Sequence, residues 1–176
     1  MKKYLSFSLV LLCTVMMSMS LASCGDDEPF ISSDFNKSEL TTPMFLFEQP
    51  NTNIAGLASA LAKGFNFWTF TDGKAAYGSI SINNNRAVLK CNELYDSWTL
   101  EAGKLKLGNT TRNVKKVSAF GVKAFTIDLT IFIPSNLAIG NFTAETIFTE
   151  LSLNKQKLWQ GLEKAKQEGP VYVDEL

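Results

Sequence analysis

The chain is predicted to fold as a mainly β, antiparallel barrel or sandwich, and three observations carry that expectation. From Phe65 onward, apolar residues recur with a period of two in short runs. Turn-type residues punctuate those runs at close intervals, at Asp72-Gly73, Asn83 to Asn85 and Ala102-Gly103. No helical stretch separates the runs, so neighbours joined by hairpins are expected rather than a parallel sheet.

The first element is not part of that fold. Lys2 and Lys3 begin a positive region, Leu5 to Ala22 carries no charge, and Leu21-Ala22-Ser23-Cys24 ends the run with small residues before a cysteine. This order fits a bacterial lipoprotein signal peptide over residues 1–23, cleaved before Cys24. The Cys24 thiol would then carry a thioether-linked diacylglycerol. With one further amide-linked chain, ~0.8 kcal/mol per buried CH₂ makes the anchor effectively permanent. The competing reading is an uncleaved membrane helix, since the run is near the lower limit for a span. Ser6, Ser8, Ser18, Ser20 and Ser23 dilute its apolarity.

Gly25-Asp26-Asp27-Glu28 resembles the acidic signal that sends lipoproteins of Bacteroidetes to the outer face of the outer membrane. The alternative is an ordinary solvated acidic linker. The resemblance implies an outer-membrane, lipid-anchored protein exposed at the cell surface. Residues 24–43 are rich in Ser, Thr, Asp, Glu and Asn, and read as a lipidated tether that lifts the domain off the bilayer. The domain itself is expected over 44–176.

Within it, Met44 to Phe47 reads as a short first strand. Ile54, Leu57, Ala58 and Leu61 then fall on one helical face over Asn53 to Lys63, with Asn53 as N-cap and Gly64 as stop. Phe65 to Thr71, Tyr77 to Ile82 and Arg86 to Cys91 read as strands, and Trp98, Leu100, Leu105 and Leu107 alternate around Ala102-Gly103. Val114 to Ile133 is too long for one strand and is expected to divide near Gly121. Phe125, Ile127, Leu129, Ile131 and Ile133 then form an alternate row ended by Pro134. Glu145 to Leu153 alternates less cleanly. Finally, Leu151, Leu158, Leu162 and Ala165 share a helical face, with Trp159 beside them and Gly169-Pro170 as the stop. That amphipathic helix is expected to dock on the outside of the β-structure; an interface with another protein is the other use of such a face.

Composition bounds the chemistry. The 17 basic and 17 acidic residues balance, and loss of Lys2 and Lys3 leaves 15 against 17, a net −2. No basic stripe emerges, so nucleic acid is not an expected partner. A hydrophobic share of 45% with 13 phenylalanines suits a packed domain rather than a disordered one. Of three cysteines, Cys13 leaves with the signal and Cys24 is alkylated. Cys91 remains, unable to form an internal disulfide and expected as a small buried hydrophobe. The chain has no histidine, which removes Ser-His, Cys-His and His-metal sites together. No zinc-type CxxC pair or Gly-rich phosphate loop is present, so neither metal nor cofactor is expected. Asp128 is read as solvated beside Thr126 and Thr130, and Glu93 and Asp96 as loop acids. The expectation is a protein that is not an enzyme.

Two segments resemble lipocalin-like domains of Bacteroidetes lipoproteins. One is Trp68-Thr-Phe70-Thr-Asp72-Gly73-Lys74, and the other is Trp98-Thr-Leu100-Glu-Ala-Gly103-Lys104-Leu105-Lys-Leu107. The resemblance implies that Trp68, Phe70, Trp98, Leu100, Leu105 and Leu107 point inward, with Lys104 and Lys106 outside. Phe65 and Phe67 would fall on the opposite face, where the helix at Asn53 to Lys63 could cover them. It further implies Trp68, Phe70 and Trp98 as the lining of a ligand site, although a small barrel is as readily filled by its own side chains. The function expected is binding of a small apolar or amphipathic ligand at the envelope. The alternative is an accessory subunit that docks on an envelope protein and has no ligand of its own.

Overall fold

The computed structural model describes residues 30–32, 34–41, 45–48, 64–119, 122–134 and 151–176. The signal segment, Cys24 and the helix expected over Asn53 to Lys63 lie outside them, as does most of the stretch from Glu145 to Leu153. In chain order the elements are β1 (Phe30–Ser32), α1 (Lys37–Thr41), β2 (Leu46–Glu48), β3 (Phe65–Phe70), β4 (Ala75–Asn83) and β5 (Arg86–Tyr95). They continue with β6 (Trp98–Glu101), β7 (Lys104–Leu107), β8 (Thr110–Ala119), β9 (Val122–Ile127), β10 (Thr130–Pro134), α2 (Lys155–Glu168) and β11 (Val171–Tyr172). Among the described residues, ten strands form one antiparallel path, β11-β5-β4-β3-β2-β10-β9-β8-β7-β6, curved into a half-barrel. β1 pairs with β8 off that path.

Turn chemistry explains the hairpins. Asn84-Asn85 joins β4 to β5 at φ 49° and 62°, and Ala102-Gly103 joins β6 to β7 at φ 47° and 72°. Two left-handed central residues match the twist of the flanking strands, and asparagine and glycine adopt that region at least cost. The turn at Asp72-Gly73 is wider than the expected two residues. Its ladder ends at Phe70 opposite Ala75, and Thr71 and Lys74 close the loop, with Thr71 N–H donating to the Lys74 carbonyl at 2.8 Å.

Three expectations are corrected. The break near Gly121 is present, but the row from Phe125 to Ile133 is not one strand. It turns back at Asp128-Leu129, φ 48° and 73°. The register Phe125 to Phe132 and Thr126 to Ile131 puts Phe132, not Ile131, on the face of Phe125. Asp128 therefore stands in a turn, and Leu129 is 93% exposed.

Glu93 is likewise not in a loop, because β5 runs on to Tyr95 and pairs Glu93 with Tyr77. Part of the expected tether also belongs to the fold. Phe30–Ser32 pair with β8, and α1 buries Leu40 to 1% exposure. Polar residues hid this short helix, whose Glu39 carboxylate accepts the Asn36 N–H at 3.0 Å as in a capping box.

The sheet has a core on each face. Inside lie Leu40, Trp68, Phe70, Trp98, Leu105, Leu107, Val114, Phe125, Ile127 and Phe132. Outside, Phe45, Phe67, Ile80 and Leu89 pack with Leu153, Leu158 and Leu162. Helix α2 therefore docks on the outer face and covers Phe67. Asn154 caps it, its side chain accepting the Lys157 N–H at 2.8 Å, and Gly169 ends it at φ 92°. Gly161 sets the approach of helix to sheet: a Cβ there would lie 2.6 Å from Leu176 Cδ1 and 2.7 Å from Leu89 Cδ2.

Candidate functional site

Alternation along β3 sends Trp68 and Phe70 inward, and the β6–β7 hairpin brings Trp98 against them. The three residues proposed from sequence are thus adjacent. Trp68 stacks on Phe70 with ring centroids 5.7 Å apart, and Phe70 meets Trp98 at 4.9 Å. They are only 2%, 0% and 4% exposed, so they form a wall of packed rings. The Trp98 indole N–H donates to the Thr71 carbonyl at 2.8 Å, and the Lys37 ammonium lies 4.6 Å from the Trp98 ring centroid. Lys37 also donates to the Asp72 carbonyl.

Beside this wall the inner face turns polar. Tyr77, the cross-strand partner of Trp68, stacks on it at 5.1 Å. The Tyr77 hydroxyl donates to Glu48 Oε2 at 3.3 Å, and Asn66 Nδ2 donates to the same oxygen at 2.6 Å. Arg112 lies 5.5 Å from the Trp68 ring centroid. One of its terminal nitrogens donates to both Glu93 oxygens at 2.8 and 2.9 Å, and the other to Asp128 Oδ2 at 3.2 Å. Tyr95 adds a hydroxyl to Glu93 at 2.8 Å, and Asp128 accepts the Asn113 backbone N–H at 2.8 Å. Arg112 Nε is buried and has no hydrogen-bond acceptor.

Electrostatics follow from this arrangement. Burial, and then the neighbouring Glu48 carboxylate, push the Tyr77 phenol up to about 12, so it stays a neutral donor. Burial and the bond to Glu93 raise the Tyr95 phenol as well. Burial alone would lower the Arg112 pKa, but Glu93 and Asp128 more than reverse this, and the guanidinium stays charged. Two carboxylates, those of Glu93 and Asp128, thus face the single Arg112 guanidinium.

Sequence reasoning did not pick out Arg112, Tyr77, Tyr95 or Glu48. A signal was available for Arg112: it stands two residues before the buried Val114 on one strand and so shares its inward face.

Elsewhere, Cys91 is half-buried, and burial raises its thiol pKa. An open groove of about 280 Å³ is lined by Ser81, Asn83, Val88, Lys90, Pro170 and Tyr172; alternation along β4 puts Ser81 and Asn83 on the same face of the sheet as Tyr77, opposite Ile80 and α2. Beside it, Arg86 stacks 3.7 Å from the Tyr172 ring centroid and pairs with Asp174 and Glu175 at 2.9 and 2.8 Å. Among the described residues no group of three or more acids and cysteines is placed to hold a metal ion. No helix among them is long and apolar enough to cross a membrane. Comparison with protein-family models, curated proteins and solved structures finds no match to this chain.

Proposed function

We propose that the protein is a lipid-anchored, lipocalin-like binding protein of the cell envelope, without catalytic activity. In this reading Cys24 carries the lipid and the anchor sits in the outer membrane with the domain at the cell surface. The inner face of the half-barrel takes a small amphipathic ligand. Trp68, Phe70 and Trp98 form the wall toward its apolar part, and the Arg112 cluster meets its polar end.

One observation carries the proposal. The inner face sets an aromatic wall directly against a part-buried network in which Arg112 Nε lacks an acceptor. Stability alone is a weak reason for such a network, because well-packed apolar residues in place of a buried ion pair are often neutral or stabilising. Recognition gives the unfilled donor a use.

Native mass spectrometry of the mature protein, purified from its own envelope, tests this reading. A stoichiometric adduct lost on denaturation supports a ligand, and a clean apo mass argues against one. Metabolic labelling with palmitate, abolished by Cys24→Ala, tests the anchor separately.

A docking role without a ligand has its own supporting observation in Leu129, which projects from the β9–β10 turn at 93% exposure. Co-purification that Leu129→Asn abolishes would favour it.

A further inference from the structure

We infer that helix α1, together with Phe35, is a displaceable plug: it closes the inner face of the half-barrel, and a ligand reaches the aromatic wall by taking its place. This rests on the binding reading above and adds how that site opens.

The aromatic wall is closed by the chain's own N-terminal side. Leu40 is 1% exposed and lies in one buried cluster with Trp68, Phe70 and Trp98. Phe35 packs against that cluster as well, its ring centroid 5.6 Å from that of Phe125. Around these two side chains the attachments are polar. Lys37 lies over the Trp98 ring and donates to the Asp72 carbonyl, and Lys116 of β8, the cross-strand partner of Phe125, donates to Glu39 at 3.0 Å. The plug thus reaches across the inner face from the β3–β4 turn to β8, and with it docked the wall is sealed from solvent.

Attachments of this kind separate more readily than the sheet does. Helix α1 has five residues, far short of the ~12–15 that an isolated helix needs to hold in water, and Leu40 is its one buried residue. The Lys116 and Glu39 side chains are 22% and 34% exposed, where an ion pair contributes little. No ladder of the ten-strand path runs through α1. Its withdrawal therefore breaks side-chain contacts while every hydrogen-bonded pair of that path stays made, and such a segment opens well below the free energy of global unfolding. What the wall loses is contact with one leucine and one phenylalanine side chain. The apolar part of a small amphiphile replaces that contact in kind, so a ligand in the vacated space stabilises the open form.

The test uses the mature chain with Cys24→Ser and Cys91→Ala, which keeps every described element. Glu39→Cys and Lys116→Cys are added, bridged by a bis-methanethiosulfonate reagent and released again by reduction. Binding is read from the fluorescence of an uncharged probe, N-phenyl-1-naphthylamine. Bridging is expected to weaken binding about ten-fold or more, and reduction to restore it in the same sample. With Glu39 and Lys116 retained, Leu40→Ala is expected to tighten binding about ten-fold, because a less firmly docked plug leaves a larger open fraction. Leu105→Ala removes the same atoms from the same buried cluster, but from β7, and should change binding little. Equal binding before and after reduction, or an equal gain from Leu40→Ala and Leu105→Ala, overturns the plug while the binding reading stands. No binding by any of these proteins overturns both.

Discussion

Arg112 of β8 reaches Glu93 of β5, two strands that share no ladder, and places one guanidinium nitrogen 2.8 and 2.9 Å from the two carboxylate oxygens. The pair therefore ties together parts of the sheet that lie six steps apart along its path. Their side chains are 25% and 30% exposed, between the buried and the surface case. Arg112→Met alone is expected to cost about 1–3 kcal/mol, because it strands Glu93. Arg112→Met with Glu93→Leu should recover most of the loss. Urea denaturation of both variants measures this, and a double variant as unstable as the single one would refute it.

At the β9–β10 turn the side chain opposes the backbone. Leu129 holds φ at 73° while 93% exposed, so it endures a left-handed conformation with little burial in return. Leu129→Gly should stabilise the fold by about 1 kcal/mol, the left-handed penalty of a residue with a Cβ. The readout is a higher Tm; a lower one would mean that Leu129 makes contacts worth more than its strain.

Gly161 presents the reverse contest. Alanine in a helix interior normally gains about 1 kcal/mol over glycine. Here the added methyl would lie 2.7 Å from Leu89, which is 0% exposed and has no room to withdraw. Overpacking of this kind costs about 1–3 kcal/mol, so Gly161→Ala is expected to lower stability. Chemical denaturation settles the sign.

Alkaline titration should single out Tyr77. Its phenol is raised from 10.0 to about 12, burial being the largest cause. The folded state thus holds a proton that the unfolded state releases. The stabilisation is complete below pH 10 and declines as pH rises from 10 through 12. Ultraviolet absorbance should show the tyrosinate step near pH 12 lost in Tyr77→Phe, while the smaller rise at Tyr95 remains. If the late step survives in that variant, Tyr77 is not its source.

The sequence revealed much of the sheet because turn chemistry and alternation agree there. Asn84, Asn85 and Gly103 are residues that suit left-handed turns, and Trp68, Phe70, Leu105 and Leu107 keep the period that faces them inward. The turn at Asp128-Leu129 was hidden because leucine is the wrong residue for it and the apolar alternation continues straight through. Helix α1 escaped because one buried residue, Leu40, docks a segment that is otherwise polar. The cluster around Arg112 was hidden for a different reason. Period-two reading finds apolar rows, whereas Glu93 and Arg112 come from strands that share no ladder and meet only once the sheet curves.

The pairing of β1 with β8 begins at Phe30, six residues beyond Cys24. At about 3.3–3.6 Å per extended residue, the covalent leash between a lipid on Cys24 and the first ladder bond is roughly 20 Å at most. If Cys24 carries the proposed lipid, a domain moored that closely would graze the headgroup layer rather than roam above it. Whatever enters the half-barrel, or docks on it, would have to do so within one small protein's diameter of the bilayer.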